Sequence, residues 1–270
     1  MKLITDWRAI IELVALCRNE GLAVTNFFPD EERMASWCRD GAFFVERCGD
    51  TQFFMRRQNA FVNVYFMGRS AEALGMDWKS FVASNASDRW VVDLIGPDKI
   101  REPMENAFES VGFARLTTLQ RMGRKTPVDL TEWLSDVECA TANDASAIKC
   151  LLDTYFVAEE DQVPSVEEIE KWIAKQTIYV VRGSADNPIL GFVIFNLSPA
   201  TLYLRYWFVH PSVRGRGVGG RLLKAMFVAG RDTKRQYFWV KTDNGNAIKR
   251  YRHYGFQFEL MKDVVMAQST

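Results

Sequence analysis

Val209-His210-Pro211-Ser212-Val213-Arg214-Gly215-Arg216-Gly217-Val218-Gly219-Gly220 is the stretch whose reading decides the fold. The run before it, Leu202 to Val209, is aromatic and apolar and reads as a strand. The run after it reads as a helix to about Gly230. Four glycines within six residues let the backbone turn tightly and approach a ligand without Cβ interference. The first amides of the following helix have no intrahelical partner and stand at the positive end of its dipole. Such a turn is a receptor for a diphosphate, and Arg214, Arg216 and Arg221 add charge around it.

Glycine spacing alone does not identify the ligand. Gly215-x-Gly217-x-x-Gly220 also satisfies the dinucleotide-binding fingerprint. Against that reading, the strand before the turn carries Arg205 and follows antiparallel strands rather than opening a parallel βαβ unit. Without Gly-Lys-Ser/Thr there is no P-loop. Downstream stands a second pattern, Asn244-x-x-Ala247-x-x-x-Tyr251-x-x-x-Gly255-Phe256, after a strand at Tyr237 to Thr242. Together the two stretches resemble the GNAT acyltransferase superfamily, whose signature is Arg/Gln-x-x-Gly-x-Gly/Ala. Arg214, Gly217 and Gly219 take those three places, and the resemblance covers about 136–270.

The resemblance implies an α/β fold with a mixed sheet, the acyl-CoA N-acyltransferase fold. It implies acetyl-CoA as co-substrate and an amine as acceptor, with no metal. The turn from Arg214 through Gly215, Arg216, Gly217, Val218, Gly219 and Gly220 would hold the CoA diphosphate. The pantetheine arm would pair with the splayed edge formed by Trp207, Phe208 and Val209. The residue matching Asn244 would bond that arm, and Tyr251 would sit beside the thioester sulfur.

An amine attacks the thioester directly in this chemistry. A strand-end amide, assigned to Val209, would steady the oxyanion, and the Tyr251 phenol would protonate the departing thiolate. The base is open among Glu159, its neighbours Glu160 and Asp161, His210, and a water relay. The alternative to an N-acetyltransferase is an acyl-CoA-binding sensor or scaffold without turnover.

The remaining sequence repeats the order of elements. Residues 1–122 read as helices, antiparallel strands, then helix, strand, helix, strand, and 136–270 follow the same course. Phe108-Glu109-Ser110-Val111-Gly112-Phe113 parallels Tyr251-Arg252-His253-Tyr254-Gly255-Phe256. Two copies in tandem are expected, joined by a linker at 123–135. The first copy lacks the glycine run, and Phe108 and Arg101 stand where Tyr251 and Asn244 would, so it is expected not to bind CoA.

The composition fits globular domains: 270 residues, 48% hydrophobic, with 34 basic and 34 acidic side chains. Charge neutrality argues against a general nucleic-acid binder. Five cysteines without a C-x-x-C pair, and two histidines, suggest neither a disulfide framework nor a zinc site. The start resembles no secretory signal, and no apolar run approaches the ~20 residues of a membrane helix. A cytoplasmic protein, monomeric or homodimeric, is the expectation.

Overall fold

The computed structural model describes residues 1–85, 89–125, 136–184 and 187–269. The chain divides into two compact units, Met1–Leu119 together with the residues from Leu260 onward, and Gln120–Glu259.

The first unit begins with β1 (Lys2–Leu3), α1 (Trp7–Asn19), β2 (Val24–Thr25) and α2 (Glu31–Arg39). The two helices start where short acids cap them: Asp6 accepts from the Arg8 amide and Asp30 from that of Arg33. Next come β3 (Phe43–Cys48), β4 (Thr51–Arg57), β5 (Val62–Gly68), α3 (Ala71–Ser84), β6 (Arg89–Gly96) and α4 (Asp98–Glu109). β7 (Ala114–Arg124) starts in this unit and ends in the second.

The sheet of the first unit runs β1-β3-β4-β5-β6 and is extended by the last strand of the chain, β13 (Gln257–Ser269). Phe53, Val64, Phe66, Trp78, Trp90 and Phe108 form a core on one face of the sheet. Ile10, Val14, Phe27, Trp37, Phe43 and Phe54 form one on the other.

β5 and β6 are parallel and pair only from Val62–Val64 to Trp90–Val92. Beyond that point β2 lies antiparallel on β5, Val24 opposite Gly68 and Thr25 opposite Met67. Asn26 follows and is buried. Its Nδ2 donates to Val64 O on β5 (3.1 Å) and to Asp93 O on β6 (3.0 Å), and its Oδ1 accepts from Phe66 N (2.8 Å). One side chain thus ties both strands across their divergence.

The second unit continues with β8 (Glu138–Cys139), α5 (Ala145–Tyr155), the short α6 (Ala158–Asp161) and α7 (Val166–Ala174). Then come β9 (Ile178–Ser184), β10 (Asn187–Leu197), β11 (Thr201–Val209), α8 (Val218–Ala229), β12 (Arg235–Lys241) and α9 (Gly245–His253). Its strand order is β7-β12-β11-β10-β9-β8.

Leu222, Leu223, Met226 and Phe227 of α8 pack with Leu204, Phe238 and Tyr251 on one face. Ile148, Leu152 and Ile169 pack with Phe192, Ile194 and Phe208 on the other. Each fully buried apolar side chain of this kind contributes about 1.5–3 kcal/mol.

Two expectations about boundaries change. Residues 123 and 124 belong to β7, because Met122 enters the second core and Arg124 is anchored within it; the expected linker from 126 onward lies outside the described residues. The last strand, expected in the 136–270 domain, joins the first unit from Leu260 onward. The physical reason is its two-sided apolar pattern. Val264 and Met266 enter one core of that unit and Val265 and Ala267 another, while the backbone forms an antiparallel ladder with β6 from Lys262–Gly96 to Ser269–Arg89.

Candidate active site

β11 makes the opening on which the site depends. It runs antiparallel to β10 along its length, with a shift of register between Ile194 and Phe195. Tyr206 pairs with Ile194 and Leu204 with Phe195, so Arg205 is the extra residue of a β-bulge. The bulge reverses which face each side chain meets. Leu202 and Leu204 enter the α8 core, whereas Tyr206 and Phe208 enter the α5–α7 core and Trp207 and Val209 pack toward α8. Parallel pairing with β12 covers Thr201–Leu204 against Arg235–Phe238 and stops at the bulge. From Arg205 to Val209, β11 has no strand on its β12 side among the described residues.

The glycine turn follows at the outer end of this opened edge. His210 caps the short 3-10 turn Pro211–Val213, its Nδ1 meeting Ser212 Oγ at 2.7 Å and Ser212 N at 3.3 Å. Gly217 is the N-cap of α8 with φ +81°, a left-handed conformation that a side chain would strain. It offers no side chain to the first helical amides, which therefore stay available to an anion. Arg214 and Arg216 are exposed and have no carboxylate partner among the described residues. Arg221 is instead ion-paired with Asp136 at 2.8 Å.

Gly219 has a different reason to be small. A methyl there would come 2.7 Å from Trp207 Cζ2 and 3.1 Å from Val209 Cγ2, so this glycine lets α8 press against the opened strand.

α9 brings the second motif to the same place. Asn244 caps the helix, its Oδ1 accepting from Ala247 N at 3.1 Å, which leaves the exposed Nδ2 to a ligand. Tyr251 is buried, with its ring 3.9 Å from that of Phe238 and 5.6 Å from that of Trp207. Burial raises its pKa above the ordinary tyrosine range, only partly offset by Arg250, so the phenol keeps its proton. Tyr254 lies toward the glycine turn instead, its hydroxyl 3.6 Å from where a methyl on Gly220 would stand.

The structure thus brings Trp207, Val209, the turn and Tyr251 around one opening, whereas the Phe208 side chain is buried in the α5–α7 core. Val209 stands at its outer end, where the carbonyl accepts from Arg214 Nε at 3.3 Å.

Glu159 lies on α6, which is fastened to both diverging strands. Tyr206 on β11 directs its hydroxyl to Asp161 O (3.0 Å) and Gln162 O (2.8 Å). Lys241 at the end of β12 donates to Glu160 (2.7 Å) and Asp161 (3.3 Å). Burial works against the Lys241 charge, but the two carboxylates outweigh it and hold its pKa above the usual lysine value. Sequence reading missed both Lys241 and the bulge; their only signals were the acidic run Glu159–Asp161 and a strand-end lysine.

No group of three or more His, Cys, Asp or Glu side chains suited to a metal occurs among the described residues. No described helix is long and apolar enough to cross a membrane.

Residues 145–256, which lie within the unit that carries the glycine turn, match the model of the acetyltransferase (GNAT) family. Solved structures extend the likeness in fold to nearly the whole chain. A GCN5-related N-acetyltransferase from Sphaerobacter thermophilus aligns at 15% identity over 97% of this chain and 91% of its own, with a TM-score of 0.60. A tandem GNAT protein from the clavulanic acid biosynthesis pathway aligns at 13% identity over 99% and 97%, with a TM-score of 0.59. A Drosophila protein aligns at 14% over 97% and 96%, with a TM-score of 0.59. At these identities the likeness concerns the fold, which is the acyl-CoA N-acyltransferase fold in tandem copies. No curated protein matches the chain.

Proposed function

We propose that the second unit transfers an acetyl group from acetyl-CoA to an amine. The observation that carries this reading is the strand edge opened at Arg205 and leading outward to an uncapped, glycine-started helix. A diphosphate on the α8 amides directs an extended amide-bearing arm back along β11. That arm finds strand hydrogen-bonding groups on one side and Asn244 Nδ2 on the other. The acyl end then lies toward the bulge.

The amine lone pair forms the new C–N bond as the C–S bond breaks. The amine proton leaves to Glu159 or through water, and the sulfur receives the Tyr251 proton. Because Val209 stands at the phosphate end, the oxyanion role moves from its amide to the β12-facing amides just past the bulge.

Thermal shift and calorimetric titration with CoA test binding. Release of free thiol from acetyl-CoA over a panel of amines tests transfer. Saturable binding with no release for any amine would favour the sensor reading. No CoA binding would overturn both.

A further inference from the structure

The bulge residue also bears on the acceptor, and this inference rests on the acyl-transfer reading above. With the diphosphate beyond Val209, the arm runs back over five residues of β11, roughly 16 Å at about 3.3 Å per residue. Its reactive end therefore reaches the point where β11 and β12 come together, which is Arg205 and its neighbours.

The Arg205 side chain is fixed there by three groups. Its Nε donates to Asn196 Oδ1 at 2.9 Å, and its guanidinium lies over the rings of Trp172 (5.1 Å) and Tyr203 (5.2 Å). No carboxylate pairs with it among the described residues. Several other cations of the unit are matched by acids: Arg121 and Arg235 share Glu259, Lys241 holds Glu160 and Asp161, and Arg182 holds Asp144 and Glu138. A guanidinium oriented through Nε and braced by two rings, with both Nη groups left over, is pre-organised for a carboxylate.

We propose that Arg205 binds a carboxylate of the acceptor, so that the amine acylated belongs to an amino acid or a similar amine-bearing acid. Arg205 acts on binding: it holds the acid while the amine faces the acyl carbon.

The test compares L-leucine and L-phenylalanine with their carboxamides, in the wild-type protein and in Arg205→Gln and Arg205→Lys. Acceptor binding is read by calorimetric titration with and without saturating CoA, and transfer by thiol release. The wild type should bind the acids about 10- to 100-fold more tightly than the amides. Arg205→Gln should erase that difference by weakening the acids alone, seen as a raised KM with little change in kcat, and Arg205→Lys should restore part of it. Equal use of acids and amides by the wild type, or an equal loss for both in Arg205→Gln, overturns the proposal. Titration with CoA alone reports separately on the acyl-CoA reading, so failure of one is not mistaken for failure of the other.

Discussion

The two units solve the same local problem in opposite ways. In each, a parallel strand pair separates after a few residues: β5 from β6 beyond Val64–Val92, and β11 from β12 beyond Leu204–Phe238. Separation leaves backbone donors and acceptors needing partners. The first unit supplies them from its own chain, with β2 on the free edge of β5 and the Asn26 carboxamide bridging to β6. It also caps the next helix internally, Ser70 Oγ accepting from Ala73 N at 3.1 Å.

The second unit does neither. Among the described residues its edge stays open from Arg205 to Val209, and Gly217 caps α8 with no side chain. The strands differ as well: β5 keeps one register against β4 throughout, whereas β11 carries the bulge. The first unit thus closes its diverging strands with a tripeptide of its own and a serine, and Val24–Asn26 lies along β5 as the proposed acyl-CoA arm would lie along β11.

Closing the open unit should have the largest effect. Gly217→Asp forces a side chain onto a left-handed residue and sets a carboxylate against the diphosphate, so CoA affinity measured by calorimetry should fall about 1000-fold or more. A near-normal affinity would mean that this turn is not the anion site.

Opening the closed unit should come next. Asn26→Ala leaves Val64 O, Asp93 O and Phe66 N without their partner and should cost about 3 kcal/mol in urea unfolding. CoA stoichiometry should remain one per chain, because the Ser70 cap is untouched. A second bound equivalent would break the comparison.

Tyr251→Phe should leave CoA affinity unchanged and slow transfer about 100-fold. With its pKa held above the ordinary value of 10, the wild-type phenol should also produce no alkaline fall in rate below pH 10. The smallest effect belongs to Gly219→Ala, which should cost about 1–3 kcal/mol by crowding Trp207. Trp207→Val should recover most of that loss, and a double-mutant cycle measures the coupling.

How far the sequence carries the reader depends on the range of the interaction involved. The glycine turn and the end of α9 were legible because each acts through its neighbours: glycines at left-handed residues before α8 and after α9. The α2 and α7 helices start by the same local logic, through Asp30 and the Ser165–Glu168 capping box.

The bulge was hidden because Leu202, Leu204, Tyr206 and Phe208 alternate without a break in sequence, although the face they meet changes at Arg205. Asn26 was hidden because its partners lie about 40 and 67 residues away. The last strand was misplaced because its apolar pattern says it is buried on both faces without naming its neighbour.

That last strand has a consequence for biosynthesis. The first unit, although encoded first, lacks the strand that pairs with β6 until the residues from Leu260 onward leave the ribosome. Domains usually fold in the order of their synthesis. Here the leading unit must wait with an unfinished sheet edge, and the trailing unit has all of its own residues before the leading one does. Premature termination near residue 259 would therefore harm first the half of the protein that had been translated longest.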